Sequence, residues 1–281
     1  MTLDPDSADL VSLRAPLDVS VLRDALVGDH GTGFYTRLDV VDETGSTNAD
    51  LLAEGDSGAD RVVLLAEFQK GGRGRHSRTW TGVPRAQVIV SVRLRLPGVP
   101  LADLGWLPLL TGIATVDAVR SVSGVQAELK WPNDILVDGR KVCGILVEVA
   151  TTAPEPVVVV GVGLNTTLTE ADLPVPNATS LLLAGARDLD RTRLAQALLS
   201  ALADRVEQWQ RNAWDPAALA ADYRERCGTI GQRVRAVLPG DTELHGVAED
   251  IDEQGRIVIR PDGAGEPVAV AAGDITHLRP V

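Results

Sequence analysis

The chain has 281 residues, enough for one large domain plus a small one, and its 44% hydrophobic and 23% charged content is that of an ordinary globular protein. A formal net charge of −12 argues against a surface built for generic nucleic-acid or membrane binding, so an anion site must be a local concentration of basic groups. Residues 1–10 lack a signal-peptide pattern, no stretch reads as long and apolar enough to span a bilayer, and Cys143 and Cys227 make neither a disulfide framework nor a zinc site, so the cytoplasm is the expected location.

Residues 1–36 offer one helix, near 17–26, and nothing long enough for a separate folded domain. Residues 38–41 read as a short strand. The turn Glu43-Thr44-Gly45-Ser46-Thr47-Asn48 follows, in which Ser46, Thr47 or Asn48 caps a helix beginning at 49. Residues 62–67 predict a buried strand leading into an arginine–glycine loop. Over 87–96, Val88, Val90, Val92 and Leu94 alternate with Gln87, Ser91, Arg93 and Arg95, the pattern of a half-buried strand. An apolar helix over 107–122 tolerates Pro108 only in its first turn.

Strands over 128–131 and 135–137 flank Pro132-Asn133-Asp134. Asp138-Gly139 makes a hairpin turn into a strand over 141–149, and 156–164 is another buried strand. Leu194, Ala197, Leu198, Ala201, Leu202 and Val206 recur at helical spacing over 191–210, and a helix near 216–226 follows. From Gly231 the texture changes to five short strands, over 233–238, 245–251, 256–260, 267–271 and 276–278. They are separated by turns at 239–241, 254–255 and 262–265. Such density suggests a small closed barrel, because closure removes exposed edges.

Only three of the 27 basic residues are lysines: Lys70, Lys130 and Lys141. Codon bias accounts for the arginine excess. Lysine and arginine are not interchangeable where a compact charge approaches a reacting oxygen, so the three lysines are pointers to chemistry.

The loop Gln69-Lys70-Gly71-Gly72-Arg73-Gly74-Arg75-His76-Ser77-Arg78 is the first candidate site. Its glycines let backbone N–H groups turn toward a ligand, and Arg73, Arg75 and Arg78 supply forked donors for phosphate or carboxylate. It is neither a Walker loop nor a dinucleotide fingerprint, and a solvated basic loop is the alternative. Trp80 is placed to stack on an adenine ring or to join the core. In Lys130-Trp131-Pro132-Asn133-Asp134, the last two residues suit magnesium or polar groups of a nucleotide; the same residues also make an ordinary turn, and the cluster serves no obvious packing need. Lys141 either extends into a cleft to neutralise a phosphate oxygen or is a solvated hairpin lysine. Gly161-Val162-Gly163-Leu164-Asn165 ends a strand in small residues, which points to close backbone approach by a ligand or neighbour. No histidine has metal-ligand spacing, and Cys143 reads as a small core residue.

Taken in order, these motifs resemble the biotin–protein ligase family. They are Gly45-Ser46-Thr47-Asn48, Gln69 with Gly72-Arg73-Gly74-Arg75 and Trp80, Lys130-Trp131-Pro132-Asn133-Asp134, Lys141 with Gly144-Ile145-Leu146-Val147-Glu148, and Gly161-Val162-Gly163-Leu164-Asn165. The match spans roughly residues 38–281 and looks closest to bacterial members without a DNA-binding module. The resemblance implies an α+β fold, in which a central mixed sheet with flanking helices, related to class II aminoacyl-tRNA synthetases and lipoate ligases, precedes a small SH3-like barrel. The implied division is an extension over 1–36, a catalytic biotin/ATP-binding domain over 37–229 and the barrel over 230–281.

It also implies a reaction in which biotin and ATP give biotinyl-5'-adenylate, and biotin then passes to a lysine of a biotin carboxyl carrier domain. The carriers would belong to acetyl-CoA, acyl-CoA or pyruvate carboxylases, with no nucleic-acid or membrane partner. By similarity Ser46, Thr47, Asn48, Gln69, Arg73, Gly74, Arg75, Lys141 and Gly144 bind biotin. Arg75, Arg78, Trp80, Asn133, Lys141 and Asn165 meet ATP. Lys141, Arg73 and Asp134 carry the catalysis, with Asp134 on Mg2+. The chain departs from the family pattern at Lys70-Gly71 and His76-Ser77. A lipoate ligase, a biotin-responsive repressor and a non-catalytic nucleotide-binding module are the rival readings.

Overall fold

The computed structural model describes residues 7–28, 33–55, 59–238, 242–263, 265–271 and 274–277. The chain begins with α1 (Ser7–Leu13) and α2 (Val19–Leu26), then β1 (Arg37–Val41), α3 (Thr47–Ala53) and β2 (Val62–Ala66). A two-residue pair, β3 (Gly72–Arg73) and β4 (Thr79–Trp80), precedes the long β5 (Gln87–Arg95) and α4 (Trp106–Ser123). Then come β6 (Glu128–Lys130), β7 (Asp134–Val137), β8 (Arg140–Thr151), β9 (Val157–Asn165), α5 (Arg191–Arg211) and α6 (Ala217–Arg226). The last unit holds β10 (Arg233–Val237), β11 (Glu243–Ile251), β12 (Ile257–Pro261), β13 (Val268–Val270) and β14 (Asp274–His277).

Seven strands form one mixed sheet in the order β1-β2-β5-β9-β8-β7-β6, in which only β1 and β2 run parallel. Helices α4 and α5 pack on it and on each other. Alternation over 87–96 predicts one wet face for β5, but the strand is buried from Gln87 to Leu94. As an inner strand it is covered on both sides, so its polar residues must find internal partners. Arg93, 1% exposed, donates to the carbonyls of Leu51, Gly55 and Ala59 and so fixes the C-terminal end of α3. Ser91 and Gln87 turn toward the site described below.

Helix α4 is apolar nearly all round because it lies between the sheet and α5. Together with the short 3-10 turn before it, α4 gives a run, Leu101–Ser123, with the length and composition of a membrane span, contrary to expectation; 67% of its apolar window is buried inside the fold, as in the core helix of a globular protein. Helix α1 was not legible, since seven residues carry too short a stripe to show a period. Burial holds the thiol of Cys143 well above its usual range, consistent with an inert core residue.

The N-terminal segment is fastened to the sheet. Arg14 donates to the Thr167 carbonyl (2.7 Å) and pairs with Asp172 (2.8 Å), and the Leu17 amide donates to Glu67 (2.7 Å). Glu67 also faces Arg191, the first residue of α5, across 2.7 Å, with both side chains at most 5% exposed. Arg191 in turn donates to the Gln87 and Ala15 carbonyls. One buried ion pair thus joins the N-terminal segment, β2, β5 and α5.

The C-terminal strands form an antiparallel sheet in the order β13-β12-β11-β10-β14, whose interior holds Val234, Ala236, Ala248, Ile251, Ile257, Ile259, Val270 and Ile275. Of the expected elements, the turn at 239–241, Ala264 and Leu278 lie outside the described residues. Arg224 of α6 ties this unit to the large one through Asp250 and the Ile251 carbonyl, and two tryptophans of the large unit hold its turn over 252–256. The Trp106 indole donates to the Glu253 carbonyl (2.8 Å) and the Trp131 indole to the Gly255 carbonyl (2.9 Å). Trp131 is 2% exposed, so the tryptophan–proline–asparagine–aspartate cluster does serve packing after all.

Stranding one member of a buried pair costs about 3–5 kcal/mol. Arg191→Met is therefore expected to lower the unfolding free energy by about that amount in urea titration, and Arg191→Met/Glu67→Leu to recover part of the loss. A single variant within about 0.5 kcal/mol of the parent would show that the pair does not tie these elements together.

Candidate functional site

A cavity of about 570 Å3 opens on the sheet between the start of α3, the β3–β4 hairpin and the β6–β8 turns. All fourteen residues expected at a site line it: Ser46, Thr47, Asn48, Gln69, Arg73, Gly74, Arg75, Arg78, Trp80, Asn133, Asp134, Lys141, Gly144 and Asn165. Lys130 lines it too. Lys70, the third pointer, does not; it is two-thirds exposed and pairs with Glu43.

The recess under α3 is built from hydrogen bonds that leave little freedom. Ser46 is the residue that caps α3, accepting from the Ala49 amide at 3.4 Å. Gln69 Oε1 accepts from the Thr47 amide (2.7 Å) and hydroxyl (3.0 Å). Ser91, absent from the expected set, bridges the two α3 side chains, 2.7 Å from the Thr47 hydroxyl and donating to Asn48 Oδ1 at 2.6 Å. Asn48 fits because Gly161 has no side chain: a methyl there would meet Asn48 Oδ1 at 2.3 Å. The expected close approach at this strand end is therefore to Asn48 and, at Gly163, to Trp80.

The arginine–glycine loop is an ordered hairpin rather than a loose segment. Gly72 pairs with Trp80 and Arg73 with Thr79, the Gly74 amide donates to the Arg78 carbonyl (2.7 Å), and the Gly71 amide donates to the Gly45 carbonyl (2.8 Å). Gly72 is required there, since a methyl would fall 2.4 Å from the Trp80 carbonyl oxygen. His76 and Ser77 hold φ of +55° and +58°, a left-handed conformation that costs non-glycine residues on the order of 1 kcal/mol each.

Trp80 lies against the backbone of β8 and β9. A methyl on Gly163 would sit 2.5 Å from its Nε1, and one on Gly144 3.0 Å from its Cζ3. Lys141 Nζ stands 5.5 Å from the centre of the same ring, within cation–π range. The indole N–H is buried without a hydrogen-bond partner. Asn165 is fixed at the far wall, accepting from Gln87 and donating to the Thr179 carbonyl (both 2.8 Å).

Three of the lining cations have an oxygen partner on β7, β8 or the turn before them. Arg73 donates to Glu148 (3.1 Å), Arg75 to Asn133 Oδ1 (3.1 Å), and Lys141 pairs with Asp134 (2.6 Å). Asp134 also lies 3.8 Å from Lys130. Glu148 accepts from Asn48 as well (2.9 Å), linking the recess to the hairpin. Asn133 is locked into β8 in both directions: its carbonyl accepts from the Ile145 amide and its Nδ2 donates to the Ile145 carbonyl. Among the described residues five cations and one carboxylate line the cavity, a strong local reversal of the chain's charge. Such a chamber can hold a polar uncharged group at one end and bring two anions together at the other.

Some of the site was not readable in the sequence. Ser91 and Gln87 carried only the mark of polar residues in an apolar strand. Glu148 stood in a quoted motif without a role. Pro174, Val175, Asn177 and Ala178 form a wall beside Lys141, whose amide donates to the Asn177 carbonyl at 2.7 Å, and no local signal marks them.

Residues 40–165 match the model of the biotin/lipoate A/B protein ligase family, and residues 229–278 match the biotin protein ligase C-terminal domain. The chain is 52% identical over 272 residues to the biotin–[acetyl-CoA-carboxylase] ligase of Mycobacterium tuberculosis, covering 95% of this chain and 98% of that protein. It is 30% identical over 244 residues to the bifunctional ligase/repressor BirA of Escherichia coli, covering 86% of this chain and 74% of that one. The fold is similar to that of the biotin protein ligase from Aquifex aeolicus in complex with biotin and ATP, with a TM-score of 0.74, 22% identity, and coverage of 88% of this chain and all of that one. The chain belongs to the biotin protein ligase family.

Proposed function

We propose that the protein is an ATP-dependent ligase that joins biotin to AMP and passes the biotinyl group to a lysine of a carrier domain. The observation that carries this is the meeting, in one cavity, of a tightly hydrogen-bonded polar recess and an excess of cations. Thr47, Asn48 and Gln69, with Ser46 at the cap of the same helix, are placed for the polar head of biotin. The carboxylate then points toward Arg73, Arg75 and Lys141. Trp80, seated on Gly144 and Gly163, offers a face for adenine, while Arg78, Asn133 and Asn165 border the nucleotide.

In the first step a biotin carboxylate oxygen bonds to the α-phosphorus of ATP, the bond to the β-phosphate oxygen breaks, and pyrophosphate leaves. Two anions resist this approach, so fixed positive charge must face the phosphorus as charge builds on its oxygens. Lys141 and Arg73 supply it, trading Asp134 and Glu148 for the substrates. In the second step a lysine nitrogen bonds to the biotinyl carbonyl carbon and AMP leaves. The hairpin over 72–80 covers the intermediate against water. Among the described residues Asp134 is the one carboxylate on the cavity wall, and Mg2+ binds through one or two carboxylates plus phosphate oxygens, so Asp134 fits an ion that arrives with ATP. Such an ion would add charge neutralisation at the phosphates.

The carrier domain of acetyl-CoA carboxylase is the proposed acceptor, with those of acyl-CoA and pyruvate carboxylases as further ones, in the cytoplasm where these enzymes meet ATP. The proposed units are the catalytic domain over 37–229, extended by 1–36, and the SH3-like barrel over 230–281.

Purified protein incubated with ATP, biotin and a carrier domain is expected to add one biotinyl group to the carrier by intact mass. A carrier labelled with lipoate and never with biotin would overturn the reading. Lys141→Ala is expected to slow biotin-dependent ATP–pyrophosphate exchange about 100- to 1,000-fold at unchanged melting temperature. An exchange rate within about threefold of the parent would remove Lys141 from the reaction. Gly163→Ala places a methyl against the Trp80 indole. The KM for ATP should rise about tenfold, the worth of one base–aromatic stack, with little change for biotin. An unmoved KM would show that Trp80 does not bind adenine.

A further inference from the structure

Gln87 and Ser91 stand on one face of β5, and Ser91 belongs to the recess under α3. Gln87 opens the strand at the other end of the chamber. It is 2% exposed and pairs in register with Asn165, the last residue of β9, itself 3% exposed. Its Nε2 donates in two directions, to Asn165 Oδ1 at 2.8 Å and to the Thr81 carbonyl at 3.2 Å. Asn165 Nδ2 donates in turn to the Thr179 carbonyl at 2.8 Å. Gly82 packs on the Gln87 amide, since a methyl there would meet Gln87 Oε1 at 2.0 Å. Thr81 and Asn165 line the chamber, whereas Gln87 does not.

These contacts leave neither amide free to turn over. A carbonyl oxygen can only accept, so Thr81 and Thr179 each require an N–H from the side chain that faces them. Turning an amide by 180° would set oxygen against oxygen in a buried place, where an unpaired polar group is costly. Asn165 Oδ1 is therefore spent on Gln87, and the second proton of Asn165 Nδ2 is the group left for a ligand.

Given the ligase reading above, on which this rests, we infer that Gln87 is a positioning residue for the nucleotide, holding the Asn165 amide so that it presents a donor to a ring nitrogen of the base. Asn165 lies on the face of β9 that Gly163 turns to Trp80, so a base stacked on that indole brings one edge to Asn165. Adenine carries lone pairs at N1, N3 and N7, and a fixed N–H matches any of them. An amide turned the other way would set its oxygen against those lone pairs. Gln87 thus acts on the base only through Asn165, and its second bond, to Thr81, holds the end of the hairpin against the same wall.

Arg191 donates to the backbone carbonyl of Gln87, a contact that a change of side chain leaves in place. Gln87→Met removes both side-chain N–H groups at similar volume. In the full-length protein it is expected to raise the KM for ATP in biotin-dependent pyrophosphate exchange about tenfold, the worth of one hydrogen bond. The kcat and the KM for biotin should stay within about twofold of the parent. In an Asn165→Ala background the same change should move the KM for ATP by less than about twofold, because the residue it acts through is gone. An equal effect in both backgrounds, an unmoved KM for ATP, or a biotin KM that rises in step would overturn the inference. Should Gln87→Met not fold, the unaltered protein still decides, with 1-deaza-, 3-deaza- and 7-deaza-ATP in place of ATP. One of these is expected to raise the KM about tenfold, a rise that Asn165→Ala abolishes; parity of all of them with ATP would contradict a donor at the base. Failure of the underlying ligase reading shows differently, as a parent protein with no biotin-dependent exchange at all.

Discussion

Lys141 and Asp134 face each other across 2.6 Å in a chamber lined by five cations, within a chain whose net charge is −12. Concentrated positive charge repels itself and is costly to leave unsolvated, so each central cation needs a resident acceptor until substrate arrives. Asp134, Asn133 and Glu148 fill that role for Lys141, Arg75 and Arg73. All three acceptors come from β7, β8 or the turn before them, the part of the sheet most tightly knitted to Asn48 and to the barrel. The cations that line the cavity are thus held in place by internal acceptors, which leaves their positive charge preorganised around an open chamber.

The tryptophan–proline–asparagine–aspartate turn gives this arrangement its reach. Trp131 holds the barrel through the Gly255 carbonyl, Asn133 holds Arg75 and the β8 backbone, and Asp134 holds two lysines. Trp131, Pro132 and Asn133 thus border both the chamber and a groove beside Gly255, and Asp134 borders the chamber alone. Trp131 and Trp106 both hold the turn over 252–256, and the buried Trp131 indole packs that turn directly against the chamber wall.

The elements with strong periodicity, α4, α5 and the strands from β5 to β9, were legible because burial imposes a regular apolar pattern. That fourteen scattered residues would share one cavity was legible for a different reason. Glycines beside arginines, and Asn-Asp after Trp-Pro, are chemically conspicuous in a sequence poor in lysine. What stayed hidden depends on contacts distant in sequence. Arg93 reads as a solvent-facing strand residue, and only the carbonyls of Leu51, Gly55 and Ala59 explain its burial. Ser91 is unremarkable until Thr47 and Asn48 arrive above it. Lys70 misled for the complementary reason: rarity of a residue type marks interest, but its neighbour Glu43 sits on the surface.

In the proposed reaction the cations of the chamber act on the α-phosphate of ATP. A single-turnover quench with biotin and ATP labelled at the α-phosphorus tests it most directly. The label is expected to move into a biotinyl–AMP anhydride that persists in the protein and is released as AMP only when carrier is added. Label appearing in ADP, or remaining in ATP while the carrier gains biotin, would contradict it.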